Sequence, residues 1–281
     1  MSIDFLRFPN FKRKAVTLSY DDGVKWDKQL IEIMVKNGLK GTFNLNSGRF
    51  ALKDGERKLT AQAALELYEG NGMEVAAHGQ DHLSLAKVSS VMAVNDIISD
   101  RKTLEKLFRK PIVGWAYANG SYCTGVAEML KTCGTLYART TISTEKFDLP
   151  GDWLRWPTTC HHGNARLMEL AREFVEQKDD TNFWRNRPQL FYLWGHSYEF
   201  NDHNNWYIIE EFAEYVGNRE DIWYATNVEI YDYIEAYYAL RFGAEGTFVF
   251  NPTCIDIYLE YYGQKVVVPA GKLVDLPERR P

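Results

Sequence analysis

The sequence predicts an α/β fold: a closed or nearly closed (β/α) barrel with seven or eight parallel strands and a small C-terminal β appendage. Three observations predict it. Short apolar runs alternate with longer amphipathic stretches from the start to about residue 242. The runs are compact and fully apolar, which suits strands buried on both faces of a parallel sheet. The last forty or so residues change to short segments with one wet face. An open doubly wound sheet is the second choice for the same β-then-α rhythm.

In chain order the expected strands are Ala15–Tyr20, Gly41–Leu45, Met73–Ala77, Ile112–Ala116, Thr135–Ala138, Leu154–Pro157, Leu190–Trp194 and Ile222–Ala225. Between them, Leu30, Ile33 and Met34 fall on one helical face. Leu167, Leu170, Ala171 and Phe174 repeat the spacing on a helix beginning near Asn164, as do Ile209, Phe212, Tyr215 and Val216. Thr226-Asn227-Val228-Glu229 carries a capping-box pattern ahead of Ile230 and Ile234, which marks a helix start. Thr247–Phe250, Ile255–Tyr261 and Lys265–Val268 read as short strands. The expected division is therefore a barrel over 1–242 and an appendage over 243–281 packed against it. No internal repeat or low-complexity segment interrupts the pattern.

Composition narrows the function classes. Apolar residues make up 45% and charged residues 25% of the 281, ordinary for a folded globular chain. A net charge of −5 disfavours a general nucleic-acid binder. No apolar run approaches the ~20 residues of a membrane span. The N-terminus lacks the basic-then-apolar pattern of a secretory leader, so the expected location is cytoplasmic, or secreted if a leader has been removed. Cys123, Cys133, Cys160 and Cys254 form no C-x-x-C pair, the pattern of free thiols in a reducing compartment. Oligomeric state is not legible.

Four of the six histidines and a paired aspartate stand at or beyond strand ends, the edge where parallel α/β folds assemble their sites. Ser19-Tyr20-Asp21-Asp22-Gly23 follows the first strand. Adjacent aspartates there point in different directions, so one can ligate a metal while the other faces a reacting water. Taken alone, the pair could equally be a polar turn with helix-capping carboxylates. His78-Gly79-Gln80-Asp81-His82 follows the third strand. Histidines four apart on one face of a helical turn can present two imidazoles to one cation; in isolation, one core and one exposed histidine is the plain alternative. Together, one carboxylate and two imidazoles form the three-ligand set of an open catalytic site. His196, after Leu190–Trp194 and beside Gly195, suits a general acid because imidazole titrates near working pH.

Tyr20-Asp21-Asp22-Gly23 resembles the T-[FY]-D-D-G motif of the polysaccharide deacetylase family (carbohydrate esterase family 4, the NodB homology domain). His78 to His82 resembles its H-[ST]-x-x-H motif, and Leu193-Trp194-Gly195-His196 its L-x-x-H motif, in the family's order over roughly residues 14–240. The resemblance implies a distorted (β/α) barrel, with Asp21 as general base, Asp22, His78 and His82 as ligands of one divalent metal, and His196 as general acid. It also implies an acetylated carbohydrate as substrate. Zinc is the first expectation for the metal, though cobalt, nickel or iron suits the same donors.

Two departures follow. Where the family has R-x-P-[FY], this chain reads Trp115-Ala116-Tyr117-Ala118-Asn119-Gly120, which puts Ala116 at the arginine that orients the base. The backbone N–H of Asn119 can still serve the oxyanion, with Tyr117 beside it. Arg139 is the expected substitute for the arginine, with Arg155 as runner-up; a surface ion pair is the alternative for either. Asp152-Trp153-Leu154-Arg155-Trp156 only loosely resembles the family's fourth motif, which supports the acid histidine and the acetyl pocket. His161 and His162 match no family motif and either line the cleft or are solvated. Asp81, Tyr198 and Glu199 are expected to support the primary groups. Trp153, Trp194 and Trp206 could stack on sugar rings, although core packing is the default for an aromatic. Two other functions fit the residues: an amidohydrolase acting on a small cyclic amide or modified sugar, and a carbohydrate-binding protein with a degenerate site.

Overall fold

A computed structural model describes residues 3–180 and 186–278. The elements run β1 (Leu6–Arg7), β2 (Lys14–Asp21), α1 (Asp27–Lys36), β3 (Gly41–Leu45), α2 (Ala61–Gly70), β4 (Glu74–Ala77), α3 (Ser90–Phe108), β5 (Gly114–Ala116), α4 (Thr124–Thr132), β6 (Tyr137–Ser143), β7 (Trp156–Thr158), β8 (Cys160–His161), α5 (Leu167–Glu176), β9 (Gln189–Gly195), α6 (Ser197–Asp202), α7 (Tyr207–Val216), β10 (Ile222–Tyr224) and α8 (Asn227–Tyr238). Five short strands follow: β11 (Arg241–Phe242), β12 (Phe248–Phe250), β13 (Ile257–Tyr261), β14 (Gln264–Val268) and β15 (Leu273–Asp275).

The main sheet is parallel, in the order β7-β6-β5-β4-β3-β2-β9-β8. Its two ends belong to one stretch of chain. Trp156 pairs with Arg139 of β6, while Cys160 and His161 pair with Leu193 and Trp194 of β9, so the ring nearly closes. The distortion lies at β2. β9 pairs along most of its length, whereas its other edge is shared: β10 takes Lys14–Val16 and β3 takes Leu18–Asp21. Every residue of β2 is buried, which is why its sequence reads as a continuous run with no wet face.

The helical faces follow the expected spacing. Leu167, Leu170, Ala171 and Phe174 of α5 are buried, as are Ile209, Phe212 and Val216 of α7, where Tyr215 lies at the margin. On α1, Ile31 takes the fully buried place beside Leu30 and Met34, and Ile33 is only half-buried. Each fully buried aliphatic contributes ~1.5–3 kcal/mol. The capping box at α8 is present: Thr226 Oγ1 accepts from the Glu229 N–H, and the Glu229 carboxylate accepts from the Thr226 N–H.

Of the boundaries that differ from expectation, three have a visible local cause. The fifth strand begins at Tyr137 instead of Thr135, because the Thr135 N–H is spent closing α4 on the Leu130 carbonyl. Leu154 and Arg155 lie in a 3₁₀ turn capped by the Asp152 side chain, which accepts from the Leu154 N–H, and extended pairing starts only at Trp156. Asn164 holds a turn instead of opening α5, which begins at Leu167.

The C-terminal strands recruit partners from earlier in the chain. β13 pairs with β14 and with β1, and β12 pairs with β15 and with β11. Within β13, Ile257 and Leu259 are buried while Tyr258 and Glu260 are half-exposed, as the alternation predicts. All four cysteines are free, and Cys160 is buried.

Candidate metal centre and catalytic groups

The site is built on the C-terminal ends of β2, β4 and β9 and on Arg139 within β6, which pairs with Ala116 at the end of β5. β2 ends in Asp21, buried, with Asp22 immediately beyond it. The backbone turns at Asp22 (φ +86°) and again at Gly23 (φ +59°), so the two carboxylates diverge. The Asp22 N–H donates to the Asn44 carbonyl (2.9 Å), which fixes that turn against β3. A left-handed conformation at a non-glycine residue costs on the order of 1–3 kcal/mol and is found where a side chain must be aimed.

After β4 the His78–His82 segment is a turn instead of the expected helical turn. Gly79 (φ +86°) and His82 (φ +56°) are both left-handed, and the His82 N–H donates to the Gly79 carbonyl (3.3 Å). The two imidazoles still meet, with ring centres 4.8 Å apart. Asp100 of α3 holds the turn: its Oδ2 accepts from the N–H groups of His78 (3.1 Å) and Gly79 (2.8 Å), and its Oδ1 from the Ser47 N–H. Asn46 Nδ2 donates to the carbonyls of His78 and Gly79.

One ligand atom each from Asp22, His78 and His82 lies within 4.8 Å of the other two. The chemistry of this set fits a divalent cation. His78 Nδ1 lies 2.8 Å from the Ala116 carbonyl, which only an Nδ1–H can satisfy, so Nε2 presents its lone pair. Burial and then the neighbouring His78 hold His82 down at about 4, leaving it neutral at ordinary pH. One cation is already present: Lys58 Nζ lies 3.1 Å from Asp22 Oδ1 and donates to the Asp22 carbonyl (2.6 Å). Burial alone would raise Asp22, but Lys58 and then His78 keep it below the usual carboxylate range.

Asp21 faces away from Lys58. Its Oδ1 accepts from Asn44 Nδ2 (2.8 Å) and its Oδ2 from Arg139 Nη2 (2.5 Å), with His78 Nε2 at 3.8 Å and His196 Nε2 at 3.9 Å from Oδ2. Burial alone would raise its pKa; Arg139, then His78 and His196, outweigh it and hold the carboxyl at about 2. Arg139 is itself buried and lies flat on Trp194, its guanidinium carbon 4.4 Å from the ring centre.

His196 sits between two carboxylates. Nε2 faces Asp21, and Nδ1 lies 3.3 Å from Glu199 Oε1. Burial lowers its pKa, but Glu199 and then Asp21 more than compensate, and the net direction is upward.

Residues 9–138 match the sequence profile of the polysaccharide deacetylase family. Over that stretch the chain is similar to the polysaccharide deacetylases. No curated protein matches it. Among solved structures, a putative polysaccharide deacetylase from Mycobacterium smegmatis shares the fold at 16% identity, with a TM-score of 0.58 over 83% of this chain and 94% of that one. A mutant of a family 4 carbohydrate esterase pseudoenzyme from Bacillus anthracis, described as having restored enzymatic activity, matches at 14% identity and a TM-score of 0.52 over 81% and 70%. A polysaccharide deacetylase from Bacillus cereus matches over 50% of this chain and 44% of its own length, at 21% identity and a TM-score of 0.43. The chain thus spans less than half of that relative.

Against the expectations drawn from deacetylase motifs, the structure gathers Asp21, Asp22, His78, His82, Arg139 and His196 at one end of the barrel. Trp194 and Glu199 stand beside them, against Arg139 and His196; Arg155 and Trp153 do not join them. Arg155 is turned away, paired with Asp152. Trp153 is a correction: its Nε1 donates to Glu235 (2.7 Å) and its ring packs edge-on against Trp156 and Tyr231, beside the buried apolar group that includes Tyr192, Ile234 and Leu259. The Asp152–Trp156 stretch therefore does not support the acid histidine. Trp194 is occupied by Arg139 on its face and His161 at 4.7 Å, and Trp206 packs on Phe200. Tyr117 is buried, its hydroxyl donating to the Leu154 carbonyl (2.8 Å). Asn119 lies in a left-handed turn (φ +56°) tied to the His82 segment through Ser84 Oγ (3.1 Å). Asp81 bonds through its backbone to Asp96 and Arg49, and Tyr198 stacks on Arg57. His162 is buried and His161 half-buried, both on Glu199, so neither is solvated.

Sequence reasoning missed Lys58, Asn44, Asn46 and Asp100. The asparagines did leave a signal, as amide side chains interrupting the otherwise apolar run of β3 and its exit. Lys58 left none, since it comes from an irregular segment with no periodicity.

Proposed function

We propose that the chain is a metal-dependent hydrolase that removes acetyl groups from an N- or O-acetylated carbohydrate. One observation carries this reading: beside the three convergent donors Asp22, His78 and His82 stands a buried carboxylate, Asp21, that faces His196 and belongs to no ligand set. A binding protein has no use for such a group.

Asp22, His78 and His82 would hold the ion. Bound there, a divalent ion supplies the Lewis acidity that a carboxylate as weakly basic as Asp21 needs in order to act as a base. Asp21 stays ionised at any working pH and is kept in one orientation by Arg139 and Asn44. It takes the proton of the attacking water. His196, on the far side of Asp21 Oδ2, gives the Nε2 proton to the departing amine or alcohol. The Asn119 backbone N–H is the donor for the oxyanion.

The test is release of acetate from acetylated oligosaccharides and small N-acetyl compounds by protein supplied with zinc, cobalt, nickel or iron. Asp21→Asn abolishes turnover while leaving metal content nearly intact; normal activity in that variant overturns the assignment. Ring opening of a cyclic amide, which takes up water and releases no acetate, points instead to the amidohydrolase alternative.

Lys58 favours a second reading, a carbohydrate-binding protein with a degenerate site. Its ammonium neutralises the carboxylate an ion would need, and a structural neighbour of this fold is described as a pseudoenzyme. Binding of acetylated oligosaccharide without acetate release under any metal supports that alternative.

A further inference from the structure

A second cluster of imidazoles lies beside the first, and the mechanism above uses only one of its members. Glu199, in the first turn of α6, faces three histidines. His161 Nε2 (3.1 Å) and His162 Nε2 (2.9 Å) approach its Oε2, and His196 Nδ1 (3.3 Å) approaches its Oε1.

We propose that Glu199 is the positioning residue of the general acid: it orients the His196 ring from the Nδ1 side, while His161 and His162 flank its other oxygen. The role given to His196 rests on the deacetylase reading; the geometry of the cluster does not.

The tautomers support this. His161 Nδ1 accepts from the Gly163 N–H (3.0 Å), so its proton sits on Nε2, facing Glu199. His162 lies stacked on Tyr20 (5.8 Å, 16° between planes) and against Phe200 (4.0 Å). Burial holds it down at about 4, so it too meets Glu199 as a neutral N–H donor. Both imidazoles approach Oε2, and Oε1 is left facing His196 Nδ1. A residue three positions along a helix is a natural neighbour, which is how His196, at the N-cap of α6, meets the carboxylate.

The groups around His196 are Asp21 and Asp22 from the end of β2, Glu199 and Tyr198 from α6, His161 from β8 and Trp194 from β9. Carboxylates face both ring nitrogens, Asp21 at Nε2 and Glu199 at Nδ1. That arrangement favours the imidazolium against the cost of burial. After Nε2 has given its proton to the leaving group, the ring is neutral and retains Nδ1–H on Glu199; water returns the Nε2 proton. Deacetylase-like sequence placed this duty on Asp152, which instead caps Leu154 and pairs with Arg155.

The experiment follows the His196 ring resonance through a pH titration by NMR, and the pH profile of kcat/KM, in the metal-loaded protein and its Glu199→Gln variant. The expected result is a fall of about one unit or more in the His196 pKa, matched by the alkaline limb of the profile, with metal content and Tm little changed. Glu199→Asp, which keeps the charge, shifts both by less; it serves as the comparison if the glutamine variant does not fold. An unmoved His196 titration overturns the proposal, as does lost activity with an unmoved limb. If the wild type releases no acetate, the deacetylase reading fails while the titration still decides the role of Glu199.

Discussion

Arg139 Nη2 lies 2.5 Å from Asp21 Oδ2, although 118 residues separate the two. The guanidinium reaches from β6 to the end of β2 with its face covered by Trp194, so it cannot swing away. In the deacetylase motif an arginine does this from the position held here by Ala116, a residue too short to reach anything.

Truncating Arg139 to Ala leaves Asp21 buried with Asn44 as its remaining side-chain donor. The expected loss is about 10²-fold in kcat, the scale of a misplaced general base, with KM little changed. Arg139→Lys recovers only part, because a point charge lacks the planar fork that packs on the indole. Steady-state kinetics on both variants checks this; wild-type turnover in Arg139→Ala removes Arg139 from the mechanism.

Why this pair was legible and others were not follows from what the sequence encodes locally. The barrel strands announce themselves because both faces of β2, β3 and β9 are buried, so burial is written along each run. Residues at strand ends inherit their position from that pattern, and this places Asp21, His78 and His196 together, with Arg139 joining them from inside β6. β1 is only two residues long, and its partner β13 lies far along the chain, so no local pattern marks it. Trp153 was misplaced because an aromatic side chain fits a core as well as a sugar face. Lys58 acts through tertiary approach alone, and nothing in its neighbourhood of sequence predicts the contact with Asp22.

Lys58 yields its own prediction. An ammonium 3.1 Å from Asp22 Oδ1 repels an ion bound to the same carboxylate. Replacing Lys58 by Gln should tighten binding of a divalent ion by about tenfold, as one partly screened charge interaction of ~1.4 kcal/mol implies. Calorimetric titration of metal into both proteins measures it. Equal affinities would mean that the ammonium moves aside at no cost.

Gly195 tests the packing beneath the acid. A Cβ at this position would stand 2.0 Å from His162 Nδ1, in space the imidazole already fills. Gly195→Ala should therefore expel His162 from its place against Phe200, costing about 1–3 kcal/mol as overpacking typically does. Denaturant unfolding reports the cost. His162→Ala in the same background opens the space and should restore part of the stability.

Asp27 gives a pH dependence that is independent of catalysis. It is fully buried at the start of α1, where Oδ2 accepts from the Tyr68 hydroxyl (2.6 Å) and the Val24 N–H (3.1 Å), and Oδ1 from Ser197 Oγ (2.5 Å). Burial pushes its carboxyl up to about 7, and the three hydrogen bonds only partly offset that. Below pH ~4 both folded and unfolded chains carry the proton and the group is neutral in its effect. Between ~4 and ~7 the unfolded chain has released its proton while the folded one keeps it, so stability falls as pH rises; the loss is complete above the folded value. Its full extent is at most ~4 kcal/mol. Asp100, also raised to about 7 by burial, acts in the same direction, so the wild-type curve alone cannot isolate Asp27. The difference can: Asp27→Asn titrates nowhere in this range, and its unfolding free energy should decline less than that of the wild type between pH 4 and 7. Parallel curves would mean that Asp27 is ionised in the folded protein and that its three donors fully replace water.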